Sequence, residues 1–367
     1  MIMNSLCLKM LWLCVKKKFH RCLKTFIIFV ITCLIMVGCG STESVLNENF
    51  MFFSKFPKED TVVFKNIYEY KEGVAGMLRL VDSTLMIFNV QPGAKKFLNN
   101  YSLKSGILSD GYFAKGRGPG EAMGPRAIGV NGNSLWLQDI TLKKIFTIDR
   151  RKVINIMSSV SFNEYPLQNH YYMIDFKDSL HFLGVGNINS QFKIQEIDLT
   201  SGKVTKEFGK IEKLPENMSL MLFKSIYQSL IFSKPTGDKL VLPYRYLDAI
   251  EIFNTETGKG ITILGPEKYD VKYMPLPHGM SRTDETRFAF VNGAVTNEYI
   301  YLAYSGRTRT DPNSYDGNYI YIYDWDGNPI RKLILDRYIQ GMAVSQDNNT
   351  LYAFDVNMGF LIQAKIN

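Results

Sequence analysis

Cysteine is missing from the whole of this chain beyond residue 39; the five it has are Cys7, Cys14, Cys22, Cys33 and Cys39. The remainder therefore has neither a disulfide framework nor a thiolate metal site, and is compatible with an oxidising compartment. Histidine is scarce as well. The three beyond residue 39, His170, His181 and His278, show no metal-ligand spacing, and no His-Glu-x-x-His occurs. A Gly-x-Ser-x-Gly elbow and a P-loop are also lacking. From about residue 60 onward no stretch sustains an apolar repeat of about 3.6 residues, which argues against a helical domain. These absences leave no metal, no cofactor and no catalytic residue to be named from motifs.

Acidic residues are absent from the first 38 positions, which carry Lys9, Lys16, Lys17, Lys18, Arg21 and Lys24. Those six account for most of the formal net charge of +8, and the +2 that is left has no field to gather phosphates. Nucleic acid is not expected as a partner. After the basic stretch comes an uncharged apolar run, Phe26 to Val37, interrupted only by Thr32. It suits the apolar part of a secretory signal and is shorter than the ~20 residues of a spanning helix. The run ends in Met36-Val37-Gly38-Cys39, followed by the polar Gly40-Ser41-Thr42-Glu43-Ser44. This resembles a bacterial lipobox, with Met36 where Leu is usual. The resemblance implies removal of residues 1–38, lipidation of Cys39 and a lipid-anchored place in the cell envelope, periplasmic or outer-membrane. The other reading is an uncleaved signal anchor. Residues 39–56 are expected to be the lipidated cysteine and a tether, and residues 57–367 the folded domain.

What the chain has in quantity is Phe and Tyr, 24 and 21 of them, side chains that suit a pleated, half-buried surface. Short β-type runs alternate with explicit turns: Val81-Asp82-Ser83, Asn131-Gly132-Asn133, Thr200-Ser201-Gly202-Lys203, Thr255 to Lys259, and Trp325-Asp326-Gly327-Asn328. Asn, Asp and Gly tolerate the positive φ that hairpins need. A unit of four strands recurs. Its second strands are marked by Leu85, Leu135, Leu180, Leu240, Tyr299 and Leu351, at intervals of 50, 45, 60, 59 and 52 residues. That period predicts an all-β fold, a six-bladed β-propeller of four-stranded blades. The last unit runs out after three strands, and Thr61-Val62-Val63-Phe64-Lys65 is expected to supply the fourth and close the ring. The rivals are seven blades with one degenerate, or a pair of β-sandwiches, whose turns would lack the longer period.

Two segments, Gly116-Arg117-Gly118-Pro119-Gly120-Glu121 and Tyr323-Asp324-Trp325-Asp326-Gly327-Asn328-Pro329 running on to Leu351-Tyr352-Ala353-Phe354, together resemble the TolB-like six-bladed propeller lipoproteins of gut Bacteroidetes. The likeness covers roughly residues 50–367. It implies fold and location and brings no catalytic residues with it.

Strand alternation divides the connections between two faces. The turns joining strands one and two, and three and four, are expected to be short throughout. The other class holds the long segments 114–125, 159–169, 210–225, 265–286 and 305–317, so one elaborated face should surround the central opening. That face is rich in arginine: Arg117, Arg126, Arg245, Arg282, Arg287, Arg307 and Arg309, with Glu121 near the first and Tyr244, Tyr246, Tyr304 and Tyr315 as stacking surfaces. Arginine reads carboxylates and phosphates through paired, planar hydrogen bonds. The expected function is therefore a non-enzymatic binding module for an anionic or polar ligand, a glycan, a peptide or an envelope protein. The alternative is a propeller hydrolase or lyase with its active site in the channel. The glycines of 116–121 are expected to permit a turn, since Pro119 and Met123-Gly124-Pro125 block the helix a phosphate cradle needs. Asp324, Asp326 and Asn328 imitate a calcium loop but are read as a hairpin turn, because Pro329 and Leu335 stand where Gly and Glu are required.

Overall fold

The computed structural model describes residues 49–154 and 161–366, so the signal, Cys39 and the first part of the expected tether lie outside the described residues. What is described is the propeller, six blades with the chain running from inner to outer strand in each. The first blade is Ala75–Val81, Thr84–Asn89, Lys96–Ser102 and Tyr112–Ala114. The second runs from Pro125–Asn131 to Asn163–Pro166, the third from Met173–Phe176 to Val204–Lys210, and the fourth from Phe232–Ser233 to Gly260–Leu264. The fifth and sixth are joined by one strand of 16 residues, Pro329–Val344, whose first half is the outer strand of the fifth and whose second half is the inner strand of the sixth.

Local sequence explains the hairpins. Asp82 (φ 54°) and Gly132 (φ 56°) hold the left-handed backbone that the two-residue turns 82–83 and 132–133 demand. At 325–328 the Asp324 carboxylate accepts from the Asp326 and Asn328 amides, both at 2.9 Å, and Gly327 sits at φ 90°. The residues that imitate a calcium loop are thus the cap of a hairpin. Between blades the core is apolar and aromatic: Trp136 of the second meets Phe176 of the third at 5.4 Å, and Phe176 meets Phe182 at 6.1 Å. Gly129 faces Trp136 so closely that a Cβ there would stand 2.3 Å from the indole.

Closure takes place in the sixth blade, as the missing fourth strand required, but with a shifted segment. Lys65–Glu69 pairs antiparallel with Phe360–Lys365, Leu361 opposite Tyr68 and Gln363 opposite Lys65. The expected strand Thr61–Lys65 is split. Glu59–Val62 lies instead parallel to Lys332–Leu335, a fifth strand on the fifth blade. Farther upstream Phe50–Phe52 lies parallel to Thr262–Leu264 on the fourth. The N-terminal stretch is therefore a strap across the outer edges of three successive blades, and its part from residue 49 to 56 belongs to the propeller rather than to a tether. Two aromatic side chains pin it. Phe56 is 4% exposed and packs at an angle against Tyr321 at 4.7 Å and edge-to-face with Tyr323 at 5.7 Å, with Phe53 4.9 Å from it.

The expectation that first-class turns are short throughout fails twice. The third and fourth strands of the first blade are joined by residues 103–111, and those of the second by 150–162, which include a short helix, Arg150–Ile154. Of the segment 159–169, assigned to the elaborated face, residues 161–162 precede the strand Asn163–Pro166 and so belong to the opposite face, while 167–169 follow it. The other long segments keep their face. Residues 211–231 carry the helix Leu220–Ile226, and 265–286 carry a two-stranded hairpin, Tyr273–Leu276 with Gly279–Arg282.

Phe56→Ala deletes the ring that holds the strap between the fourth and fifth blades. It is expected to cost about 3–5 kcal/mol in urea unfolding, the range for a buried Phe truncated to Ala; a loss below about 1 kcal/mol would show that the strap is a passive passenger.

Candidate functional site

Every inner strand begins on the long-connection face, so the first residues of the six inner strands converge on the axis there. They form the rim of a cavity of about 340 Å³ lined by Met77 of the first blade, Arg126 of the second, Met173 of the third, Asn292 of the fifth and Gln340 of the sixth, with Arg245 from the fourth. In the fifth blade the two inner strands, Arg287–Val295 and Tyr299–Thr308, are longer than elsewhere and continue past the level of this opening.

Arg126 and Arg245 meet on one side chain, Tyr172. The Arg126 guanidinium lies 4.1 Å from the centre of its ring, and Arg245 Nη1 donates to its hydroxyl at 3.0 Å. Neither arginine has a carboxylate within ion-pair distance among the described residues, and the Nε of each is buried without a hydrogen-bond partner. Burial first, and then the neighbouring Arg245, push the Arg126 pKa down to about 10; burial lowers that of Arg245 too. Two guanidinium groups held together without a counter-charge are poised for an anion, whose arrival would restore the lost solvation. Asn292 closes the floor: its Nδ2 donates to the Gly76 and Gln340 carbonyls, both at 2.7 Å, tying the fifth blade to the first and sixth.

The opposite mouth, where the inner strands end, is a cavity of about 420 Å³. Arg79 and Asp175 face each other across it, and the Asp175 carboxylate accepts from the Ser233 amide at 2.7 Å and the Phe176 amide at 2.9 Å. Burial outweighs those bonds and the Arg79 charge, so the Asp175 pKa rises to about 6.

Of the arginines singled out from sequence, Arg126 and Arg245 line the opening. Arg282 reaches it indirectly, donating to Tyr315 Oη at 3.1 Å, and Tyr315 is itself a lining residue. Arg307 lies over the Tyr338 ring at 4.6 Å, and Arg309 pairs with Asp284 at 3.4 Å; both sit on the extended arm of the fifth blade, away from the rim. Arg287 lies over Tyr269. Arg117 is exposed on its loop, and Glu121 folds back to accept from the Gly118 amide at 2.8 Å, where a Cβ at Gly116 would collide with it. The glycines of 116–121 thus serve a turn. Tyr244 and Tyr304 are core residues rather than stacking surfaces: the first bonds the buried Glu251, the second stacks on Tyr321 at 4.4 Å. Sequence reasoning missed Tyr172, Asn292, Gln340, Arg79 and Asp175. The signal that finds them is position, at either end of an innermost strand, once each blade's register is known.

Asp175 gives a pH signature. Its pKa in the fold lies above the ordinary carboxylate value, so the folded chain keeps a proton that the unfolded chain gives up between pH ~4 and ~6. The stabilisation is complete below ~4 and is lost as pH rises to ~6. Urea midpoints measured from pH 4 to 8 should fall more steeply over that window in the parent than in Asp175→Asn; parallel profiles would show that the carboxyl is not held protonated.

No curated protein matches the chain in sequence. Among solved structures it is similar to a Bacteroides fragilis protein designated "Putative exported protein", at 12% identity over 86% of this chain and 98% of that one, with a TM-score of 0.54. A member of the DUF4221 family from Bacteroides vulgatus aligns at 10% identity over 84% of this chain and 96% of that one, with a TM-score of 0.49. The first of these likenesses is one of fold. The family model described as TolB-like 6-blade propeller-like matches residues 52–347, nearly the whole ring, and the chain belongs to that family.

Proposed function

We propose that this protein is an envelope lipoprotein, anchored through lipid on Cys39, whose propeller is a non-enzymatic binding module that takes an anionic group at the central opening of its long-connection face. The observation that carries the binding is the pair Arg126 and Arg245, gathered on Tyr172 with no carboxylate partner among the described residues. The opening is lined from all six blades, so an occupant would be gripped from every side by a scaffold that does not need to move. A carboxylate of an acidic glycan, a peptide or a partner protein fits the chemistry of the pair. The anchor rests on the apolar run 26–37 and the lipobox-like Met36-Val37-Gly38-Cys39. Two chains of acyl carbon at ~0.8 kcal/mol per buried methylene would hold it firmly.

Binding is tested with immobilised acidic and neutral oligosaccharides and peptides. The parent should retain acidic probes at low salt and release them as salt rises. The double variant Arg126→Met/Arg245→Met should bind them at least about a hundredfold more weakly, about 2.7 kcal/mol, while Arg307→Glu/Arg309→Glu keeps affinity to within a few-fold. The reverse ranking would move the site to the arm of the fifth blade. Anchoring is tested by labelling cells with a palmitate analogue: incorporation in the parent and none in Cys39→Ser is expected, and equal labelling of both would rule the anchor out.

A further inference from the structure

A second cavity lies off the axis, between the third and fourth blades on the long-connection face. Its volume is about 250 Å³, a little under the ~300–1,000 Å³ of drug-sized sites. The helix Leu220–Ile226 and the hairpin 273–282 roof it. Ser219 caps the helix, accepting from the Leu222 amide at 3.1 Å, and Gly279 lets the hairpin close onto it, since a Cβ there would stand 2.7 Å from Ser225 Oγ. The walls are apolar, Val185 and Ile211 from the third blade, Leu242 from the fourth and Phe223 from the helix, with His170 and His278 exposed at the rim.

The charges inside do not balance. Lys193 pairs with Glu251 at 2.6 Å, and that fully buried carboxylate is further held by Tyr244 Oη at 2.6 Å and Thr262 Oγ1 at 3.2 Å. Lys193 and Glu251 therefore neutralise one another. Among the described residues Lys224 has no such partner. Its ammonium donates to two neutral carbonyls, Asn187 at 2.5 Å and Phe192 at 2.7 Å, which uses two of its three N–H bonds. The carboxylate whose field reaches it, Glu207, is engaged by Ser190 at 2.9 Å and Gln195 at 2.6 Å. Burial pushes the Lys224 pKa down to about 8, as expected of a cation short of a counter-charge.

From this geometry we infer that the cavity is a second binding site, separate from the central opening, for a small carboxylic acid with an apolar or aromatic body: the carboxylate pairs with Lys224 and the body lies against Val185, Ile211, Leu242 and Phe223. A neutral molecule of the same shape leaves the ammonium uncompensated, and a dianion brings a charge with no partner. Tyr172 lines this cavity and also carries both arginines of the opening, so one ring is the wall between the two sites.

The test is equilibrium dialysis of the full-length protein against radiolabelled 3-phenylpropionate, with 3-phenylpropanol as its neutral counterpart. Saturable binding of the acid at millimolar concentration or below is expected, with the alcohol at least about tenfold weaker. Lys224→Met should lose about tenfold. Ile188 lines the cavity and is exposed at its mouth, so Ile188→Trp, which plugs the rim and leaves Lys224 in place, should abolish binding while circular dichroism and Tm stay at the parent's values. Arg126→Met/Arg245→Met, which loosens the shared Tyr172 but leaves Lys224 in place, should keep the affinity for the acid to within a few-fold, which separates this site from the opening. No saturable binding of the acid, equal affinity for acid and alcohol, unchanged affinity in Lys224→Met, or loss confined to the arginine double variant would each overturn the inference.

Discussion

The pairing of Lys65–Glu69 with Phe360–Lys365 holds the ring together. A propeller is a row of sheets, each burying its faces against its neighbours, and an open row would leave two apolar faces and two unpaired edges in water. The fourth strand of the sixth blade converts the row into a circle. What lies on the axis follows from that closure: six inner strands start at one level, so side chains distant in sequence, such as Arg126, Arg245, Asn292 and Gln340, share one rim. The strap that leads into the closing strand adds Phe50–Phe52 and Glu59–Val62 to the outer edges of two other blades, covering there the backbone groups that edges leave open.

The architecture was legible in the sequence because its punctuation is local. Turn residues at Asp82, Gly132 and Gly327 need only their own backbone conformation to be recognised, and the spacing between them gives the blade. Five of the six marker residues fall within second strands, and Leu180 stands one residue before His181–Val185. What was misread depended on pairing partners. Thr61 to Lys65 has the composition of one strand, yet Val63 is 70% exposed between buried Val62 and Phe64, because the chain changes blades there. The outer strand Tyr112–Ala114 is too short to announce itself, which hid the length of the connection before it.

The site was legible in kind and only partly in place. Composition flags arginine on loops; it does not say which of them meets an acid. Arg309 finds Asp284, and Glu121 is consumed by the backbone of its own turn. Among the described residues Arg126 and Arg245 have no carboxylate partner; the inner strand of the second blade carries one, the loop after the second strand of the fourth carries the other, and they meet on Tyr172, a relation that only the circular arrangement creates. Lys224 is the parallel case off the axis: nothing around it in sequence marks it, and its ammonium is spent on two neutral carbonyls rather than on a carboxylate.

The closing strand also sets a clock. It and its partner lie 296 residues apart by the pairing of Asn66 with Ile362. While the ribosome makes the blades in order, Lys65–Glu69 has no partner until residues 360–365 exist, and each finished blade waits beside an open edge. The contact that closes the ring is not available until the sixth blade has been made. Such a chain spends its synthesis incomplete, exposed to partners that bind strand edges and slow to become a closed particle.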